Sequence, residues 1–398
     1  MDKSCIDDDK KQNVLHFFGM TLNFSGRTGK ISKVMLYYLF MHTEKPERSS
    51  MEYKFFTNCA DAMAFIGLKP TAEMQQVEAV YPVCLNKYYL SLIDPENFEN
   101  DPIALQAFPR KEELDDQSSS FDPLAEEEQM PVPRMIHRYP DRVVILTTGA
   151  CAMRCRFCFR KREWANGNNL KHISLKEVNK IVKYLNLHTE VHDVLLSGGD
   201  PLMLSPALLL KIIRKIREVP TIDTIRICTR MPVVNPDFVG SSMYGRLLAD
   251  IPGVWVVTHF NHPREVTPQS MAACARLSRW GVPILNQSVL LKGVNDNADI
   301  LEELFRKLVA HRIKPHYLFH VDPVRGVRHF ATGIECGLDI LRQFRTRLSS
   351  LAVPTFAIDL PSGGGKVNLQ PEYKVDGLFP DIHHQRLIRY EETLEKRD

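Results

Sequence analysis

The sequence predicts an α/β chain, a partial (β/α) barrel preceded by an N-terminal, mainly helical region. Three observations carry this reading. Short apolar runs alternate with amphipathic ones between residues 143 and 358. The amphipathic runs open on helix-start signals. Three clustered cysteines, Cys151, Cys155 and Cys158, follow the first apolar run, and the C-terminal ends of strands are where barrels place their chemistry.

Residues 1–110 carry helical patterns, notably over 60–68 and around 74–81. A charged, Ser-rich stretch over 111–130 reads as a link between domains. Residues 131–367 are then the barrel domain and 368–398 a C-terminal tail. Pro131 and Pro133 make the entry to the barrel extended, because proline disfavours helix in the residue before it. The expected strands are 143–147, 194–197, 224–228, 254–258, 284–289, 316–319 and 355–358. Ser174 with Glu177 forms a capping box ahead of Val178, Ile181, Val182 and Leu185. Ser205 and Thr267 each stand as an N-cap before a proline at the first helical position. Strands alternating with helices imply a parallel sheet with right-handed crossovers.

Composition narrows the classes. The chain has 398 residues, 44% of them hydrophobic, enough for a sizeable core. A net charge of +3 points to neither a nucleic-acid nor a membrane partner. No apolar run reaches the ~20 residues of a membrane span. The start of the chain, residues 1–11, is too polar for a signal peptide. Nine cysteines without a disulfide pattern fit a reducing cytoplasm.

The cysteines follow C-x3-C-x2-C spacing. Three thiolates can hold three irons of a [4Fe–4S] cluster and leave the fourth open to a small molecule. The competing reading is zinc, but structural zinc wants a fourth ligand, and no second paired Cys or His motif follows. Gly198, Gly199 and Asp200 follow the second expected strand, where paired glycines let backbone approach a ligand or simply make a tight turn. Ser362-Gly-Gly-Gly-Lys366 lacks the spacing of an NTPase phosphate loop. It reads either as a surface turn or as a lysine on a flexible glycine arm, able to attach pyridoxal phosphate. Arg138 and Arg142, with Tyr139 between them, form either a phosphate grip or a salt-bridged surface turn.

Taken together, these segments resemble the lysine 2,3-aminomutases, a family of radical SAM enzymes. The likeness runs from about Pro131 to Val367 and includes the His137–Arg142 run, the cysteines, and the segments around Gly198, His259, Gln287 and Lys366. The resemblance implies an isomerase with a [4Fe–4S] cluster, S-adenosyl-L-methionine and pyridoxal 5'-phosphate, converting L-lysine to β-lysine by radical-initiated amino migration. It implies that Cys151, Cys155 and Cys158 hold the cluster and that Lys366 holds pyridoxal phosphate. By the same likeness Arg138, Tyr139 and Arg142 lie at that cofactor, and Gly198, Gly199, Asp200, His259 and Gln287 lie near S-adenosylmethionine. Arg160 matches the partner of the substrate α-carboxylate, and Asp322 and Asp359 match the pair that holds the distal ammonium. A reductant protein such as flavodoxin or ferredoxin is expected, and a homo-oligomer is compatible with the family.

The resemblance has departures. Cys274 matches one zinc ligand of longer relatives, whose other three ligands have no counterpart. Phe319 stands where a tyrosine is expected. Competing readings are an aminomutase acting on glutamate, another amino acid or a lysine of elongation factor P, and a non-catalytic iron–sulfur or zinc-binding module. Two carboxylates favour lysine, because a buried ammonium needs paired negative charge. The relatives that act on elongation factor P are expected to lack a counterpart of Asp359.

Overall fold

The computed structural model describes residues 13–17, 20–24, 55–165, 170–239, 248, 251–382 and 385–390. The polar start at 1–11 and the end of the tail at 391–398 lie outside the described residues. Residues 1–52 and 53–398 are two compact units. In the first, Asn13–Phe17 pairs with Met20–Phe24 as an antiparallel hairpin, inside the region expected to be mainly helical.

The second unit is organised by one nine-stranded sheet. Its strands are β1 (Met135–Tyr139), β2 (Arg142–Thr148), β3 (Asp193–Gly198), β4 (Thr224–Cys228), β5 (Val254–Thr258), β6 (Ile284–Leu290), β7 (Ile313–His320), β8 (Thr355–Leu360) and β9 (Gly365–Leu369). They neighbour one another in sequence order. From β2 to β8 every pairing is parallel. The seven expected strands are these seven, each within three residues of its expected ends.

Between them run α1 (Leu175–Leu185), α2 (Pro206–Arg217), α3 (Pro268–Arg279), α4 (Ala298–Ala310) and α5 (Ile334–Arg347). The expected start signals operate: Ser174 and Glu177 cap α1 reciprocally, and Ser205 and Thr267 cap α2 and α3 ahead of proline. Each helix buries one stripe, such as Val178, Ile181 and Leu185 on α1 or Leu209, Ile212, Ile213 and Ile216 on α2. Each fully buried aliphatic side chain of this kind contributes about 1.5–3 kcal/mol.

The strands show why the sheet is both core and site. Along β6, Ile284, Asn286, Ser288 and Leu290 are buried while Leu285, Gln287 and Val289 line the interior cavity. Along β4, Ile225 and Ile227 are buried while Thr224, Arg226 and Cys228 line the cavity. This period of two sends one face to the core and leaves the other free to carry polar groups.

Three expectations are corrected. The run containing Arg138 does not merely precede the first strand: Met135–Tyr139 is itself an edge strand, antiparallel to β2. Lys366 is not on a flexible arm: it lies in β9 and pairs with Asp359 of β8. The glycines build the reversal between those strands, where Gly363 and Gly365 take φ of +76° and +84°, conformations open chiefly to glycine. The stretch 111–130 is not a bare link: it lies inside the second unit, carries the helix Glu112–Asp115, and buries Glu113 and Glu126. Its charges pair with buried cations of the cysteine loop, so a composition that looks solvated is partly interior.

Gly337 sets how closely α5 approaches β8. A Cβ at this position would stand 2.3 Å from the ring of Phe356, which is fully buried. Gly337→Ala gains about 0.5–1 kcal/mol of helix propensity, but overpacking a core typically costs about 1–3 kcal/mol. The expected outcome is a net loss of stability in denaturant unfolding; a gain would show that α5 can move away from β8 freely.

Candidate active site

A cavity of about 730 Å³ occupies the interior of the sheet. The residues given a cofactor or substrate role from the sequence all line it: Cys151, Cys155, Cys158, Arg138, Tyr139, Arg142, Arg160, Gly198, Gly199, Asp200, His259, Gln287, Asp322, Asp359 and Lys366.

At the C-terminal ends of the strands, the cysteine loop is pressed against the end of β3. A Cβ on Gly198 would stand 2.6 Å from the Thr148 carbonyl oxygen, and one on Gly199 would stand 2.3 Å from that of Ala150. Gly198 also takes φ +111°. The glycines are therefore required by the close approach of two backbone segments, whatever else they contact. Asp200 accepts from the Thr229 hydroxyl at 2.7 Å and from the Arg230 and Leu202 backbone N–H groups. Burial pushes its carboxyl up, against those hydrogen bonds.

The three thiols are unpaired. Burial pushes those of Cys151 and Cys158 up, and neighbouring acids or thiols add to it; bound iron would displace the protons. Among the described residues no three metal-ligating side chains converge on a single ion. All three thiols line the one cavity, and three separate thiolates are the donor set of a multi-iron cluster whose irons each take one.

Sequence reasoning missed Arg230. Its Nη1 donates to Cys155 Sγ at 2.8 Å, and its Nη2 donates to Glu265 and Gln106, each at 2.7 Å. Burial opposes its charge, but Cys155, Tyr89 and Glu265 outweigh that and hold it protonated. Its position just past the end of β4 was the available signal. His259 Nε2 donates to Asn261 Oδ1 at 3.0 Å, and burial beside Arg230 lowers the ring to about 3, so it is neutral.

Beneath the cysteine loop lies a buried charge cluster. Glu113 receives Arg156 Nη2 and Lys161 Nζ, both at 2.6 Å. Burial drives the Glu113 carboxyl up, yet the two cations bring it down to about 2. Arg156 also donates to the Tyr81 carbonyl, and its backbone N–H to that of Gln106. Residues 81–113 thus hold the cysteine loop from outside.

Arg160 is engaged by Glu126, another residue the sequence did not single out. Its Nε reaches Glu126 at 2.9 Å, its Nη2 at 2.7 Å, and its Nη1 donates to the Ser197 hydroxyl at 3.1 Å. A guanidinium has five N–H groups, so one on each terminal nitrogen stays available for an incoming carboxylate.

The sheet's two edges meet across the cavity. The Tyr139 hydroxyl on β1 accepts from the Lys366 backbone N–H on β9 at 2.7 Å, and Arg138 Nη1 lies 3.8 Å from Asp359. Arg142 stacks on the Tyr139 ring at 3.7 Å. Lys366 Nζ sits 4.2 Å from the Tyr317 ring centre and 4.3 Å from that of Phe319. Burial lowers its amine to about 8, against the attraction of Asp359. A lysine so tuned has a usable neutral fraction near pH 7, as a covalent anchor for an aldehyde cofactor needs. Burial, then Asp359 and Glu126, push Asp322 up to about 7. Cys274 faces none of this: it is fully buried on α3 in the apolar core.

Cysteines at the strand ends beside the cavity point to the class, and residues 145–305 match the Radical SAM superfamily. Residues 341–377 match the model described as Lysine-2,3-aminomutase. The chain is 43% identical over 294 residues to the L-lysine 2,3-aminomutase of Clostridium subterminale, covering 74% of this chain and 70% of that protein. It is 38% identical over 302 residues to the glutamate 2,3-aminomutase of Clostridioides difficile, covering 76% and 71%. Among solved structures, a radical SAM methyltransferase from Sphaerobacter thermophilus aligns with a TM-score of 0.42 at 19% identity, over 56% of this chain and 68% of that one. The chain belongs to the lysine 2,3-aminomutase family. Membership brings the family's cofactors: a [4Fe–4S] cluster, S-adenosylmethionine and pyridoxal phosphate. Among the described residues no helix is long and apolar enough to cross a membrane.

Glu113→Gln leaves Arg156 and Lys161 facing a neutral amide. The expected loss is about 3–5 kcal/mol in urea unfolding, with less iron retained per chain after anaerobic reconstitution. Wild-type stability would show that the cluster does not clamp the loop.

Proposed function

We propose that this chain interconverts L-lysine and β-lysine by a 2,3-amino migration. One observation carries the reading: a single cavity is lined by the three cysteines, by Lys366, and by the carboxylates of Asp322 and Asp359. When bound, the cluster with S-adenosylmethionine supplies a hydrogen-abstracting adenosyl radical, and pyridoxal phosphate supplies the π-system across which nitrogen passes from C2 to C3. Cys151, Cys155 and Cys158 would hold the cluster. Gly198, Gly199, Asp200, His259 and Gln287 would border S-adenosylmethionine, and Lys366, Arg138, Tyr139 and Arg142 would hold pyridoxal phosphate.

The chain's own residues bind and orient. The free N–H groups of Arg160 take the substrate α-carboxylate, with Glu126 fixing the plane of the guanidinium. Asp322 and Asp359 take the distal ammonium and repel a side-chain carboxylate, which disfavours glutamate. Lys366 and Arg138 offset the acidic pair before substrate arrives. Phe319 and Tyr317 wall the Lys366 amine with rings and help exclude water. A reduced protein such as flavodoxin or ferredoxin supplies the electron. Assembly as a homo-oligomer is compatible with the fold.

Anaerobic turnover tests the function. The enzyme, reconstituted with its cofactors and a reductant, is offered L-lysine and L-glutamate separately. β-Lysine is the expected product; turnover of glutamate alone would sink the assignment. The pH profile checks the acidic pair. With Asp322 titrating at about 7, protonation below that pH removes charge that the ammonium needs. The KM for lysine is expected to rise as pH falls through 7 and to level off above it; a KM independent of pH would remove Asp322 from the site.

Lys366→Ala should lose the visible absorbance of covalently held pyridoxal phosphate while keeping the iron–sulfur absorbance. Retention of both bands would reassign the anchor.

A further inference from the structure

A second cavity, of about 830 Å³, lies between the segment 118–128, the loop after β7 and the turn between β8 and β9. Asp322 and Asp359 line this cavity as well as the first. The acidic pair is therefore a partition with open space on both sides, not the end wall of a closed pocket. Beyond the partition the lining carries Asp122, Glu127, Glu128 and Arg328, and it includes the apolar side chain of Ile334.

Geometry at the nitrogen makes this matter. An ammonium carries three N–H donors. Two carboxylates use two of them well, and the third faces whatever lies beyond. If the pair stood against packed protein, that third position would tolerate nothing larger than hydrogen. Here the same two residues also border the second cavity. We infer that the site admits lysine bearing a small alkyl substituent on its side-chain nitrogen, with the substituent seated in the second cavity. This rests on the lysine reading above. A secondary ammonium keeps its charge and one N–H for each carboxylate, so it loses only a contact with water. A trimethylated nitrogen keeps the charge but neither donor. An acetylated nitrogen loses the charge and leaves the pair uncompensated.

The holoenzyme is assayed with L-lysine, Nε-methyl-lysine, Nε-trimethyl-lysine and Nε-acetyl-lysine, with products separated by mass. The expected order is lysine and methyl-lysine within about tenfold in kcat/KM, trimethyl-lysine weaker and acetyl-lysine inert; a closed pocket typically rejects one surplus methyl-sized group by roughly 10–200-fold. Turnover of lysine, with methyl-lysine neither reacting nor competing, overturns the inference and leaves the lysine reading intact. Failure of lysine itself overturns both. A variant, Ile334→Trp, adds bulk to the second cavity away from the cofactors. It should leave lysine turnover unchanged and reduce methyl-lysine turnover at least about tenfold. An equal effect on both substrates, or none on either, also overturns the inference.

Discussion

The structure depends on how the sheet closes. Its edges, β1 and β9, have no ladder between them among the described residues. They are joined instead by the Tyr139 hydroxyl on the Lys366 backbone and by the approach of Arg138 to Asp359. A seam made of side chains can hold polar groups that a backbone ladder would exclude. It also leaves the interior wide enough for cofactors, where a fully closed small barrel fills itself with side chains. The residues proposed to hold pyridoxal phosphate lie along this seam.

The other end of the cavity is governed by buried charge. The cysteine loop carries Arg156, Arg160 and Lys161, all buried, and each requires an acid. Glu113 and Glu126 supply them from the segment before the barrel. That segment is a working part of the barrel wall rather than a tether. Removing one acid leaves a cation stranded in low dielectric, which is why such pairs are costly to break even where their net contribution to stability is small.

Lys366, Asp359, Asp322 and Arg138 form one electrostatic system. Desolvation lowers the lysine amine and raises Asp322, and each opposite charge moderates the other. Both groups are thereby brought within reach of neutral pH. The two are linked: the Lys366 charge is one of those that hold Asp322 down, so neutralising the lysine raises Asp322 further.

The sequence by itself determined the alternation of strands and helices, their caps and the cysteine loop, because these rest on local periodicity, side-chain capping and short spacing. It also marked Lys366, Asp322, Asp359 and Arg160, through likeness to a family. It did not determine that Met135–Tyr139 and Gly365–Leu369 are strands, since an edge strand is defined by its partner and both runs are short and polar. Glu113 and Glu126 read as solvated charges because burial of an acid depends on a cation brought from more than thirty residues away. The role of Arg230 was missed for the same reason: its hydrogen bond to Cys155 joins residues 75 apart. Only the tertiary structure decided which charges are interior, because pairing across the fold, not composition, makes a buried charge tolerable.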